Sequence, residues 1–227
     1  MGDEQFATGF EPRGTRRTFV QWALATAATV FAPPLPAEAQ ASPRALAASL
    51  ADGRIASRYL EHGLGSRPTG RAAGLVDAPF ADVMRTLTRL GNYSSLVPTM
   101  RSIEVVSRES GRARVHVLGR APVLGAYDIV LDGRLDGDTD GTHVIDLRTG
   151  TGGAPQIHVR VSLAPTPSGM RTVVVVELAL GISTVPAGIG RRAHTNAAIA
   201  TVAAMRRRVR ALRAAGAVPS ARFPCPA

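Results

Sequence analysis

"GRAAGLVDAPFADVMRTLTRLGNYSSLVPTMRSIEVVSRE", residues 70–109, contains the changes of hydrophobic period on which the fold turns. It opens on a strand-like run that closes at Val76-Asp77-Ala78-Pro79. From there Phe80, Val83, Met84, Leu87 and Leu90 recur three and four apart, which gathers them on one face of a helix. Pro79 suits the first helical position, where its missing N–H costs nothing, and Asp82 stands in the first turn, where the dipole favours a carboxylate. Gly91-Asn92 stops the helix. Tyr93 to Pro98 reads as a short second helix or a turn, and from Ile103 the chain turns to strands.

Outward toward the C-terminus, paired strands alternate with turn signals. "SIEVVSRE" and "RARVHVLGR" flank Ser110-Gly111, a hairpin signal. "GAYDIVLDGRL" and "GTHVIDLRTG" flank "DGDTDG", and "QIHVRVSLAP" and "RTVVVVELAL" flank "TPSG". Ile157, Val159, Val161 and Leu163 alternate with Gln156, His158, Arg160 and Ser162. That period of two belongs to an antiparallel sheet with one covered face. "VVVV" at 173–176 is apolar on both faces, so that strand is expected to be covered twice. After Pro186 and Gly188, residues 189–215 form a long helix with Ile199, Val202, Met205, Val209 and Leu212 on one side. Arg206, Arg207, Arg210 and Arg213 lie largely on the other and read as a solvated face.

Toward the N-terminus, "IASRYLEHG" and "TGRAAGLVD" are two short strands about "LGSRPTG", and residues 42–54 are a lead-in with a short helix. The order is two strands, helix, short helix, six strands, long helix. One long helix cannot fill the concavity of a broad curved sheet, so side chains or a ligand must.

Four short motifs now stand in order. They are Val76-Asp77-Ala78-Pro79 ending a strand, the helix with Val83 and Leu87, Leu90-Gly91-Asn92-Tyr93, and Leu96-Val97-Pro98 with Met100 leading into Ile103-Glu104-Val105-Val106. Together they resemble the opening of START-like domains. These domains belong to the helix-grip (SRPBCC) superfamily with the polyketide cyclases and coenzyme-Q-binding proteins. The resemblance runs more loosely through "LAPTPSGMRTVVVVEL" into the last helix and covers residues 55–215. It implies an α+β helix-grip fold: a curved antiparallel sheet wrapped around a long C-terminal helix, with two short helices near the N-terminal side. It also implies a protein holding a hydrophobic molecule such as a lipid, sterol, isoprenoid quinone or polyketide, here expected as a monomer with no cofactor. Tyr127, Ile129, Ile145 and Leu147 would wall the pocket, with His143 and Glu177 also on its lining, and Ile199, Val202, Met205 and Val209 would close it from the helix. Tyr93 and Met100 would stand at its mouth.

Ahead of that domain, residues 1–41 read as an export signal of three parts. Arg13, Arg16 and Arg17 are its positive end, Phe19 to Phe31 its apolar middle, and Ala37-Glu38-Ala39 or Ala39-Gln40-Ala41 its cleavage site. Arg16-Arg17 followed by Thr18-Phe19-Val20 resembles the twin-arginine signal of bacteria, which directs a protein to the periplasm or outside the cell. Pro33, Pro34 and Pro36 cut the apolar run short of a membrane span. Residues 216–227 form a flexible tail holding the single cysteine, Cys225, which leaves no partner for an internal disulfide.

All 27 basic residues are arginine and the net charge is +10. Losing the three arginines and four acids of residues 1–41 makes it +11. Such a charge draws a domain toward acidic surfaces, above all an anionic membrane. Scarce aromatics and the lack of a recognition motif argue against nucleic acid. For an enzyme, acid–base groups would have to converge inside. His143 shares a face with Ile145 and Leu147, and Tyr127 with Ile129 and Leu131. Glu177 shares one with Val173 and Val175, and needs a partner if buried. With these three, the alternative is a cyclase- or isomerase-like enzyme on a hydrophobic substrate. His116 and His158 oppose their apolar neighbours and face solvent. No three or four ligands converge for a metal.

Overall fold

The computed structural model describes residues 42–89, 93–97, 99–121, 125–137, 141–150, 155–181 and 186–216. The signal residues Arg16, Arg17 and Phe19, Leu90 with the helix-stop signal Gly91-Asn92, and the tail from 217 lie outside them. A turn of 3-10 helix, Pro43–Leu46, precedes strands β1 (Ala56–Leu60) and β2 (Thr69–Val76). Helices α1 (Phe80–Thr88) and α2 (Tyr93–Leu96) follow. Then come β3 (Met100–Glu109), β4 (Arg112–Ala121), β5 (Gly125–Gly137), β6 (His143–Thr149), β7 (Ile157–Pro165) and β8 (Thr172–Leu180). Helix α3 (Ala187–Ala214) ends the order, starting two residues earlier than its apolar pattern suggested, directly after Pro186.

The eight strands form one curved, unclosed antiparallel sheet in the order β1-β2-β8-β7-β6-β5-β4-β3. Each neighbouring pair is antiparallel, so a single register assigns every side chain to one of two faces. On the inner face, Ala72 and Gly74 of β2 pair with Val176 and Val174 of β8, which pair with Val161 and Leu163 of β7. These meet Ala198, Val202, Met205 and Val209 of α3 in one buried core, together with Val83 and Leu87 of α1. Helix α3 comes this close because β2 presents small residues. A Cβ on Gly74 would stand 2.9 Å from Val202 Cγ1, and one on Gly70 would collide with the backbone carbonyl of His194.

The outer face of the same strands is also covered, as the four valines at 173–176 required. Val173 and Val175 pack with Ala73 and Leu75 under Leu46 and Leu50 of the lead-in. Burying two leucine side chains contributes roughly 1.5–3 kcal/mol each, which makes this segment part of the domain. Arg206 of α3 fastens it: Nε donates to Leu75 O (2.7 Å), and the terminal nitrogens donate to the carbonyls of Gly53 (2.8 Å) and Arg54 (3.2 Å). Arg213 donates to Asp77 O. The reading of these arginines as a solvated face is corrected for Arg206, which is half-buried, while Arg207, Arg210 and Arg213 are exposed. Burial lowers the pKa of Arg206, with Asp77 acting against it.

Pro79 is the residue before α1 rather than its first turn, with ψ at 149°. Its carbonyl accepts from the N–H groups of Asp82 and Val83, which starts the helix one residue later. Among the described residues no helix is long and apolar enough to cross a membrane.

Candidate functional site

Register continues the inner face across the far strands. Val161 pairs with Ile145 and Val159 with Leu147, Leu147 with Gly133, and Leu131 and Ile129 with Val115 and Val117. Every inner-face position of β4 to β8 is apolar, glycine or an uncharged polar residue, apart from His143. The face divides into two buried clusters. Ile145 and Leu147 belong to the one gripped by α3, with Ile199 packed against it. Tyr127, Ile129 and Leu131 form the other with Val115 and Val117. Met100 and Ile103 of β3 touch both, so they mark the seam.

Tyr127 lies across Gly119, where no side chain could fit beneath its ring. Its hydroxyl donates to Thr99, with the carbonyl oxygen at 3.1 Å and Oγ1 at 3.3 Å. Burial raises its pKa, which the Thr99 bond partly offsets. His143 is on the inner face of β6, half-buried, its ring 4.8 Å from that of Phe80 at the start of α1. Sequence reasoning missed both neighbours: Thr99 and Phe80 come from other elements, and no local pattern links them to these strands. The side chain of Tyr93 is outside the described residues.

Glu177 is the exception among the expected pocket residues. It faces the opposite side of the sheet, 3.7 Å from Arg71, because its strand neighbours Val174 and Val176 point inward. Tyr127, His143 and Glu177 thus do not converge on one point. On that outer face, adjacent strands bring Arg112, Arg134, Asp146, Arg160, Glu177, Arg71 and Arg58 into one row across the sheet. Asp146 is its hub, with His158 Nε2 at 3.0 Å and Arg160 Nε at 3.1 Å. Burial pushes the Asp146 carboxyl up, but His158 and Arg160 outweigh it and hold the group below its ordinary range. His116 also faces outward, against Asp128. A groove of about 1140 Å³ opens over this charged face, and a smaller one of about 330 Å³ lies between the end of α3 and Val76-Asp77. Among the described residues no group of three or more His, Cys, Asp and Glu could hold a metal ion.

No protein-family model matches the chain, and no curated protein matches it. Solved structures do. The STAR-related lipid transfer protein of Xanthomonas axonopodis aligns with a TM-score of 0.56 at 15% identity, over 69% of this chain and 93% of that one. Human StAR-related lipid transfer protein 5 aligns at 0.58 and 13% identity, over 71% and 84%. A START superfamily protein from Mycobacterium smegmatis aligns at 0.51 and 15% identity, over 63% and 98%. At such identities the likeness is one of fold, and together with the topology it shows that this chain has the START-like helix-grip fold.

Proposed function

We propose that this chain is an exported START-like domain that binds one hydrophobic small molecule on the inner face of its sheet, and carries or shields it. The observation behind this reading is the split between the faces. Charges crowd the outer face, while the inner face of β4 to β8 carries no Arg, Asp or Glu. The apolar cluster on β4 and β5 is separate from the one α3 covers, so a guest at the seam marked by Met100 and Ile103 would bury apolar surface on two sides. Such sites hold their ligands mostly by apolar burial with few polar anchors. Two of the structural neighbours bear the name of lipid transfer proteins, which favours a lipid among the guest classes the fold resemblance implies.

The test is mass spectrometry of organic extracts from protein expressed with residues 1–41 and recovered from its own compartment. One enriched species near one per protein is expected; empty extracts from several preparations would sink the reading. Export has its own test. Arg16→Lys with Arg17→Lys should leave the protein in the cytoplasm, and undisturbed export of that double variant would rule out the twin-arginine route.

A further inference from the structure

We infer that the guest of the inner face is electrically neutral, an apolar body with at most one hydrogen-bonding group, which it places beside His143. This rests on the reading that the inner face binds a hydrophobic molecule, and it narrows what that molecule is. Four inner-face side chains of β4 to β8 carry polar atoms: Tyr127, His143, Thr149 and Thr172. Three are spent. Tyr127 donates to Thr99. Thr149 Oγ1 lies 3.1 Å from Pro155 O and accepts from the Ile157 N–H at 2.8 Å. Thr172 Oγ1 donates to Ala78 O at 2.9 Å. His143 alone has a ring contact, to Phe80, and no hydrogen bond among the described residues. An imidazole both donates and accepts, so a hydroxyl or carbonyl head would suit it equally.

A charged head would find no Arg, Asp or Glu on the inner face of these strands, where His143 and Tyr127 are the titratable side chains. On the covering helices, Arg85 of α1 is paired with Asp82 at 3.4 Å, and Arg208 of α3 is engaged as well. Arg108 pairs with Ala113 and so falls on the inner side of the edge strand β3, but there it is exposed to solvent, where pairing with a guest is weak. Burying an unpaired ion is strongly disfavoured, whereas a neutral polar group with one hydrogen bond is tolerated. The same argument disfavours bulkier anionic headgroups more strongly, since each added charge needs its own partner.

The experiment incubates the full chain with an equimolar mixture of oleyl alcohol, oleyl sulfate and 1-octadecene, then measures by mass spectrometry what the repurified protein retains. These share chain length and differ in head. The alcohol should exceed the sulfate by at least about tenfold, the scale expected when an ion must lose its water unpaired. In His143→Phe, which keeps an aromatic ring against Phe80, retention of the alcohol should fall severalfold while that of the octadecene holds. Sulfate retained as well as alcohol would overturn the neutral-guest inference and leave hydrophobic binding intact. Alcohol retention unchanged in His143→Phe would overturn the anchor. Retention of none of the three would overturn the binding reading itself. The comparison of heads needs only the natural sequence, so a variant that fails to fold does not block it.

Discussion

Asp146 shows how one residue can be legible in type and illegible in role. Alternation along β7 places His158 and Arg160 outward, and alternation along β6 does the same for Asp146. That they share one carboxylate follows only from the β6–β7 register. Because its pKa is lowered on folding, Asp146 adds stability above the unfolded carboxyl pKa of about 4, and loses it as the pH falls through the lower folded value. Asp146→Asn should therefore cost roughly 1–2 kcal/mol at pH 7. In urea titrations the gap from the natural protein should shrink when the same comparison is made in acid, below the unfolded carboxyl pKa of about 4. A gap that is equal at both pH values would show that the charge of Asp146 is not what matters. Glu177 was placed by the same alternation on the face of Val173 and Val175, and that parity is correct. What its sequence could not show is which face holds the helix.

At the scale of elements, the helix and strand periods were readable almost residue by residue, because each rests on contacts within one segment. The ends were less so. Pro79 precedes α1, since its ψ is extended and only its carbonyl enters the helix. The contact of β2 with α3 was unreadable, although its cause is plain in hindsight: Gly70, Ala72 and Gly74 leave the near face of β2 almost bare. Gly70→Ala is predicted to cost about 2–3 kcal/mol, because the new methyl meets backbone that cannot rotate away and α3 must shift. Chemical denaturation would check this. A neutral outcome would mean that the helix sits farther from β2 than described.

For the whole molecule, the lead-in is the part whose role changes most between chain and fold. Residues 42–54 look like a small, mixed linker, yet Leu50 is only 1% exposed and Arg206 holds the carbonyls that follow it. Leu50→Ala should cost about 2–4 kcal/mol as a cavity-forming change, and Arg206→Gln about 1–3 kcal/mol for its hydrogen bonds to carbonyls. Both act by securing one segment, so the double variant should lose clearly less than the sum. Strict additivity in thermal or urea unfolding would show that the segment is not released as a unit.

The amino-acid pattern by itself determined the element order, the two-faced sheet and the apolar stripe of α3, because each is a periodicity set by local backbone geometry. Tertiary structure alone decided which face of β8 meets the helix and which meets the lead-in. It alone brought Thr99 to the hydroxyl of Tyr127 and Phe80 to the ring of His143, and it turned Glu177 away from the inner face. Those outcomes depend on register and on close approach between segments tens of residues apart, and no period within a single strand or helix encodes them.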